Sequence, residues 1–543
     1  MATSGPTIQE QDNLARQAIQ ALLAGVLPDT DPADCGRWVD RVSTLKEALI
    51  RGGQAAVCWE FNLMAGDYDL ANLLAGPAGA GSAAVNTPPP KRQLPVQLLL
   101  DETADDEGNA QCVRAMFGDD FRYCDAYGYL HWTGRYWRAD SAEPALDRAT
   151  VYTLKQRRVV AAQHALEHIV RCAVPNARRV RDCKYLFQSL VMIHVDEFDQ
   201  DPELLNVANG VLNLRTGQLT DHHPSQRFTY CLDTLYNPDA DQSLWRQFLE
   251  EVVGGGPEVL EYLQLAVGYS LTGYTREECL FYVHGPTRSG KGTMTETLLR
   301  LLPKPLAVEV DFTTFTASRD HDTQNFDLAP LKPARVLFAS ESNKYETLNA
   351  GKIKSLTGGN EVRCAFKHRD HFSYRPQYKM WLVSNHPVNA DVDDDALWYR
   401  VKVIEFPNSL AGHEDKGLKL RMRQPESLEG VLAWAVEGAI KWHALGASGL
   451  ATPDAVTAST QRHRDDLDFV GSWLAECTEP APAHWVSSGE MYRSYRTWCV
   501  DNGVEMKKQR SFTLSLKYKG YLVNVQKWVN STNQRGIVGL RLI

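Results

Sequence analysis

The chain has 543 residues, of which 43% are hydrophobic and 23% charged, and its formal net charge is −9. That length holds about three or four domains with sizeable cores, and the composition excludes a disordered or fibrous chain. No apolar run approaches the roughly 20 residues that cross a bilayer, and the start "MATSGPTIQEQDNLARQ" has no basic region followed by an apolar one, so the expectation is a soluble, intracellular protein without membrane contact.

In chain order, residues 1–74 read as an N-terminal helical region with no assignable role, amphipathic in "LARQAIQALLAGVL". The tract "AGPAGAGSAAVNTPPPKR" opens a flexible linker, taken to run over 75–109. Within it and before it no complete primase domain fits, and the two aspartates of "AGDYDLAN" are too little to make a metal site. An α+β accessory domain is expected over 110–244. In it, "YLHWTGRYWRAD" reads as a hairpin turning at Thr133-Gly134, helical patterning covers 143–200, and "LLNVANGVLNLRTGQL" reads as a second strand pair. Residues 245–415 open with the helical runs "LWRQFLEEVV" and "VLEYLQLAVGYSL", then alternate β-rich runs with helices, the α/β pattern. A helical connector (416–480) and a small basic domain (481–543) complete the chain.

Eleven cysteines are scattered with no C-x₂₋₄-C pair, which argues against a zinc ribbon or finger, and Cys172 and Cys183 with His164 and His168 fit no common metal spacing. The net charge argues against binding a polyanion by overall attraction. Its distribution allows local contact, because residues 503–543 carry eight basic residues against one acidic, and residues 151–190 eight against two. Solvated helix faces explain either cluster equally well.

The chemistry concentrates in "CLFYVHGPTRSGKGTMTETLLRLL", a β-rich run, a glycine–lysine loop and a helix. Gly285, Pro286, Thr287, Arg288, Ser289, Gly290, Lys291, Gly292 and Thr293 form the expected phosphate cradle: backbone N–H groups and a helix N-terminus face the phosphates, and Lys291 supplies a mobile positive charge. Gly292 stands where such loops usually carry a magnesium-binding hydroxyl, so Thr293 or water must serve instead. The apolar strand "ARVLFASES" ends in Glu341, suited to the Mg²⁺ shell and to polarising water. "YKMWLVSNHPV" ends in Asn385, a neutral group placed to sense the γ-phosphate, and "DDDALWYRVKVIEFP" presents Arg400, which can reach a neighbouring subunit's nucleotide. A nucleoside monophosphate kinase shares the GKGT string and remains a rival on the loop alone.

These stretches, with "KSLTGGNEVRCAFKHRDHFSYRP", resemble the ATPase of superfamily 3 helicases, in particular the phage/plasmid primase-helicase type to which the poxvirus helicase-primase belongs. "FGDDFRYCDAYGYLHWTGRYW" and "NVANGVLNLRTG" resemble the accessory domain that precedes that ATPase, so the likeness covers roughly 110–480. Two positions depart from the pattern: Gly292, and Tyr399 where a second arginine often lies. The resemblance implies a P-loop AAA+-like core hydrolysing ATP with Mg²⁺, and a homo-oligomeric ring, a hexamer. It also implies single-stranded DNA in the ring channel, 3′-to-5′ travel and a cytoplasmic place in a bacterial or virus-infected cell, beside a separate primase or other replication proteins. It makes "CAFKHRDHF" a hairpin whose tip, Lys367, His368 and Arg369, grips one strand by its phosphates.

At the C-terminus a helix ("SSGEMYRSYRTWCVDNG"), a basic helix ("KKQRSFTLSLKYKGY") and a hairpin turning at Asn530–Asn533 suggest a winged helix-turn-helix. Its basic helix, with Lys507, Lys508, Arg510 and Lys517, would enter the major groove of duplex DNA. The expectation is therefore an ATP-dependent helicase replicating a phage, plasmid or mobile element, with an origin-binding initiator ATPase and a nucleotide kinase as alternatives.

Overall fold

The structure, a computed structural model, describes residues 96–316, 325–340, 347–365, 371–413, 415–529 and 531–543. The expectations for residues 1–74 and for the linker up to 95, Glu341, Lys367, His368, Arg369 and Asn530 lie outside the described residues. The chain divides into two compact units, one ending at Asp199 and regaining residues 221–231, the other made of 200–220 and 232–543.

In the first unit, helices α1 (Val96–Asp101), α2 (Asp106–Phe117), α3 (Ala142–Gln163), α4 (Glu167–Cys172) and α5 (Ala177–Leu190) accompany an antiparallel sheet of β1 (Phe121–Cys124), β2 (Gly128–Trp132) and β3 (Trp137–Arg138). Phe121, Tyr129, Leu146 and Phe187 meet in its core. The Trp137 indole donates to Pro224 O at 2.9 Å, which ties the returning segment to the sheet. The expected linker is corrected here, because the chain is already helical at 96. Leu99 packs on Cys112 and Val160, and the fully buried Arg157 donates to Leu99 O (3.0 Å), Glu102 O (2.6 Å) and Thr103 O (2.8 Å), closing the end of α1. The basic segment 151–190 resolves toward the structural reading. Besides Arg157, Lys184 pairs with Glu143 and Asp147, Arg171 with Glu167, and Arg179 with Asp106.

The second unit begins with a small antiparallel sheet, β4 (Leu204–Val207), β5 (Gly210–Asn213) and β6 (Leu219–Thr220), so part of the expected accessory domain belongs with the α/β part of the chain. Next come α6 (Ser243–Val252), which buries Trp245, Phe248, Leu249 and Val252 at helical spacing, and α7 (Pro257–Leu271). The centre is a five-stranded parallel sheet of β7 (Leu280–His284), β8 (Ala307–Glu309), β9 (Val336–Ser340), β12 (Lys379–Ser384) and β13 (Val401–Glu405), in the spatial order β13-β7-β12-β9-β8. Every residue of β12 is buried, as expected for a strand covered on both faces. Helices α8 (Lys291–Leu301), α9 (Ala350–Thr357) and α10 (Asp395–Arg400) lie between strands, and β10 (Val362–Ala365) pairs antiparallel with β11 (His371–Tyr374). Helices α11 (Leu418–Met422) and α12 (Pro425–Leu445) come next, and α12 crosses α7 where glycines allow it: a Cβ on Gly268 would sit 2.1 Å from Ala439 N.

The chain then runs through α13 (Asp454–Asp466), α14 (Phe469–Cys477), β14 (Thr478–Ser487), α15 (Ser488–Asn502), α16 (Gln509–Tyr518), β15 (Leu522–Val529) and β16 (Thr532–Leu542). The last three strands form a sheet in the order β14-β16-β15. The boundary expected at 481 falls inside β14. Val470 and Trp473 of α14 already belong to the core of Met491, Tyr495, Phe512, Leu516 and Ile537, so this compact part starts with α14. Helix α15 opens on a Ser487–Glu490 capping box and closes on Gly503 at φ +64°, a left-handed cap that favours glycine.

Candidate functional site: one edge of the parallel sheet

Because the sheet is parallel, all its strands end along one edge, where open α/β sheets place their ligands. The register pairs Ser384 and Glu405 with His284, and Ser340 with Val383. The loop after β7 and Asn385 after β12 therefore leave the sheet side by side. Asn385 is exposed there.

The loop is built by backbone geometry. Arg288 at φ +63° and Gly290 at φ +88° turn the chain back before α8 starts at Lys291. A Cβ on Gly290 would lie 2.6 Å from the Val252 side chain, and one on Gly285 2.1 Å from Phe406 O, so both positions require glycine. Gly292 does not: a Cβ there meets nothing within 4 Å. The hydroxyl expected at this position is missing although there is space for it. Thr293, half-buried on the same first turn, is the alternative oxygen donor.

Lys291 is buried, and its ammonium donates to Gly285 O (2.7 Å), Pro286 O (2.8 Å) and Ser289 Oγ (3.1 Å), inside the curve of its own loop. Loss of solvent pushes its pKa down to about 8. A phosphate entering the loop offers this charge a better partner than three neutral oxygens.

Arg400 lies at the opposite edge. It ends α10 just before β13, where Val401 pairs with Leu280 at the start of β7. Its guanidinium donates to Glu278 (2.5 Å), Thr357 Oγ1 (3.2 Å) and Ala396 O (2.9 Å). The structure thus brings the loop and Asn385 together and holds Arg400 away from both.

A cluster that sequence reading did not single out lies at the base of the loop. Glu405 accepts from His284 Nδ1 (2.8 Å) and His463 Nε2 (3.0 Å), joining the ends of β7 and β13 to α13. Its partners are 121 and 58 residues away, so no local spacing could announce them. Burial raises the Glu405 pKa, but the two imidazole hydrogen bonds outweigh it and bring the carboxyl down to about 2. These three side chains have the composition of a metal site. The hydrogen bonds argue otherwise: Val388 N–H donates to His463 Nδ1 at 3.4 Å, so the ring proton sits on Nε2, which then donates to Glu405. A metal-bound His normally donates from its other nitrogen, the reverse of this pattern.

In the C-terminal part, Lys508, Arg510 and Lys517 are exposed on or beside α16. Lys507 departs from the expected DNA-binding set. Its ammonium is held by Asp393 (3.0 Å) and Ser515 Oγ (2.9 Å), so its charge is neutralised within the chain. Sequence reading also passed over Trp528. Opposed residues of an antiparallel pair share a face, and the register sets Trp528 against Asn533 and Gln526 against Arg535. All four lie on one face of the hairpin, with Trp528 74% accessible.

Among the described residues no helix is long and apolar enough to cross a membrane. Residues 110–254 match the family described as D5 N terminal like, and residues 283–400 match a family of unknown function, DUF5906. A putative helicase of Acanthamoeba polyphaga mimivirus is 23% identical over 56% of this chain and 34% of its own length. A putative primase of African swine fever virus is 24% identical over 44% of this chain and 25% of its own, and the primase D5 of fowlpox virus 23% over 42% and 30%. The chain thus spans about a third or less of the length of these relatives. Among solved structures, the C-terminal region of NrS-1 aligns with a TM-score of 0.32 at 12% identity, over 62% of this chain and 95% of that one. Its D5-like segment and these viral helicases and primases make the chain similar to the primase-helicase type.

Proposed function

We propose that the protein is an ATP-driven DNA helicase of replication, with a P-loop AAA+-like core that works as a ring of copies. The observation that carries this reading is the shared sheet edge, where the glycine–lysine loop and Asn385 lie side by side while Arg400 stands at the opposite edge. In this reading the loop is the cradle, Glu341 the water-polarising acid and Asn385 the γ-phosphate sensor of one copy, and Arg400 serves the site of a neighbour in a ring.

In this reading the backbone N–H groups of 285–293 and Lys291 hold the β- and γ-phosphates, and Lys291 leaves its carbonyl partners to do so. Thr293 and Glu341 would hold Mg²⁺, which neutralises charge developing on the transferred phosphate. Water would serve in place of the hydroxyl that Gly292 lacks. The antiparallel pairing of β10 and β11 supports a hairpin that carries Lys367, His368 and Arg369 at its tip, against a single strand. The C-terminal helices and hairpin act as a winged helix on duplex DNA through Lys508, Arg510 and Lys517.

The test is ATP hydrolysis with and without DNA, and strand displacement on forked duplexes carrying either tail. DNA-stimulated hydrolysis and displacement are expected, both lost in Lys291→Ala. Hydrolysis without displacement on either fork would select an origin-binding initiator, and phosphate transfer to a nucleoside monophosphate would select a kinase.

A further inference from the structure

Helix α13 is bonded to β13, to the segment after Asn385 and to the helix that ends in Arg400. Its Thr460 Oγ1 accepts from Val403 N–H (3.1 Å), which fixes it along β13. His463 reaches Glu405 and, through it, His284, the residue before Gly285. Phe406 N–H donates to His284 O at 2.7 Å, so the start of the loop is clamped by backbone and side chain together. On the other ring nitrogen of His463, Val388 N–H fixes the segment after Asn385. Arg464 donates to Val392 O (2.9 Å from Nε) and pairs with Asp395, the first residue of the helix that ends in Arg400. Beyond its C-terminus, Asp468 caps α14 through Gly471 N–H (2.9 Å) and pairs with Lys519 at the end of α16.

Packing alone does not call for the polar cluster. Val388, Ile404 and Phe406 around it are fully buried, and apolar side chains of similar volume at buried charged positions commonly match or exceed the stability of the ion pair. What hydrogen bonds add is direction: Glu405 accepts from one ring with each oxygen, so His463 cannot shift along β13 without turning His284. We propose that His463 and Glu405 are positioning residues that transmit nucleic-acid engagement of the C-terminal helices and hairpin to the phosphate loop. This rests on the reading of the loop as a nucleotide site and of the C-terminal part as a DNA-binding module.

The experiment is a linkage measurement on the full chain. ADP affinity is measured with and without a saturating duplex oligonucleotide, and duplex affinity with and without saturating ADP. The two ratios must agree, and a coupling of about fivefold or more is expected in the wild type. In His463→Ala and Glu405→Gln the ratio falls to about one, while duplex affinity stays within about twofold of wild type, a separation that general destabilisation would not produce. His463→Gln, which restores an N–H toward Glu405, recovers most of the coupling and replaces the alanine variant should that one fail to fold. Wild-type coupling in His463→Ala, or no coupling in a wild type that binds both ligands, overturns the proposal. So does a stoichiometric metal ion in the purified protein. A wild type that binds duplex but no ADP overturns the reading of the loop itself, and this inference with it.

Discussion

At the scale of single residues, the loop is poised by where Lys291 keeps its charge. Its ammonium rests on neutral oxygens with a pKa of about 8, and a bound phosphate raises it. This sets the sign of the pH dependence. Below about pH 8 the lysine is already charged and ADP affinity is flat. Above it, binding must take up a proton, so affinity falls by up to about tenfold per pH unit until the pKa of the complex is passed. Titration calorimetry in buffers of different ionisation enthalpy reads both the slope and the proton, and a flat profile from about pH 7 to 9.5 would sink the account. Gly292 gives a second outcome. Since a Cβ there meets nothing, Gly292→Ser adds a hydroxyl without strain and removes a helix glycine, for a gain of up to about 0.5 kcal/mol. The Mg²⁺ concentration for half-maximal hydrolysis is expected to fall. A lower melting temperature would show that the position does not accept a side chain, and an unchanged magnesium requirement that a hydroxyl there does not reach the shell.

At the scale of elements, the sequence shows what is written locally. The strand–loop–helix around Lys291, the β2–β3 and β4–β5 hairpins and the closing helix–helix–hairpin are all set by periodicity of two or 3.6 and by glycine at bends, and all are present. Helix α1 was hidden because its six residues are too few for periodicity, and it is held by Arg157, more than fifty residues on. The His284–Glu405–His463 cluster was hidden for the same reason, since only the parallel register brings its members together. Charge counts misled where partners were distant: Lys507 looks available for DNA until Asp393 is placed beside it. The hairpin shows the opposite case. Its charged residues were counted while the indole between them was not, although an exposed tryptophan beside an arginine and two amides suits stacking on an unpaired base. Trp528→Ala is expected to weaken single-strand binding by about fivefold or more, and Trp528→Phe to retain most of it. Fluorescence anisotropy with a labelled oligonucleotide measures this. Unchanged affinity in the alanine variant would return the hairpin face to ordinary surface.

At the scale of the whole molecule, the position of Arg400 decides whether one copy can work alone. The register separates it from the loop's edge by the length of β7, four steps of about 3.3 Å, and its guanidinium is turned onto Glu278 of its own chain. It cannot reach the loop that carries its own Lys291. If it stabilises the transition state, it does so across a boundary between copies, in a head-to-tail contact that closes into a ring. This arrangement has three expected outcomes. Arg400→Ala loses about three to five orders of magnitude in turnover while binding ATP normally, because its own loop is intact. Lys291→Ala is equally inactive but binds ATP weakly. Mixed at equal ratio, the two recover activity, since a boundary works whenever the first supplies the loop and the second the arginine. With random mixing and independent boundaries that is about a quarter of the wild-type rate, and it rises with protein concentration as rings form. Size-exclusion chromatography with scattering detection establishes that mixed assemblies exist, and a coupled phosphate-release assay reads their turnover. Mixed rings that stay inactive at every ratio would mean that Arg400 does not act across the boundary, or that all boundaries must fire together. Adding a small excess of wild-type subunits separates these two cases, because concerted firing makes one defective subunit silence a ring while independent firing loses activity in proportion. Normal turnover by Arg400→Ala alone would leave its bond to Glu278 as a structural tie and send the search for the missing positive charge elsewhere on the boundary.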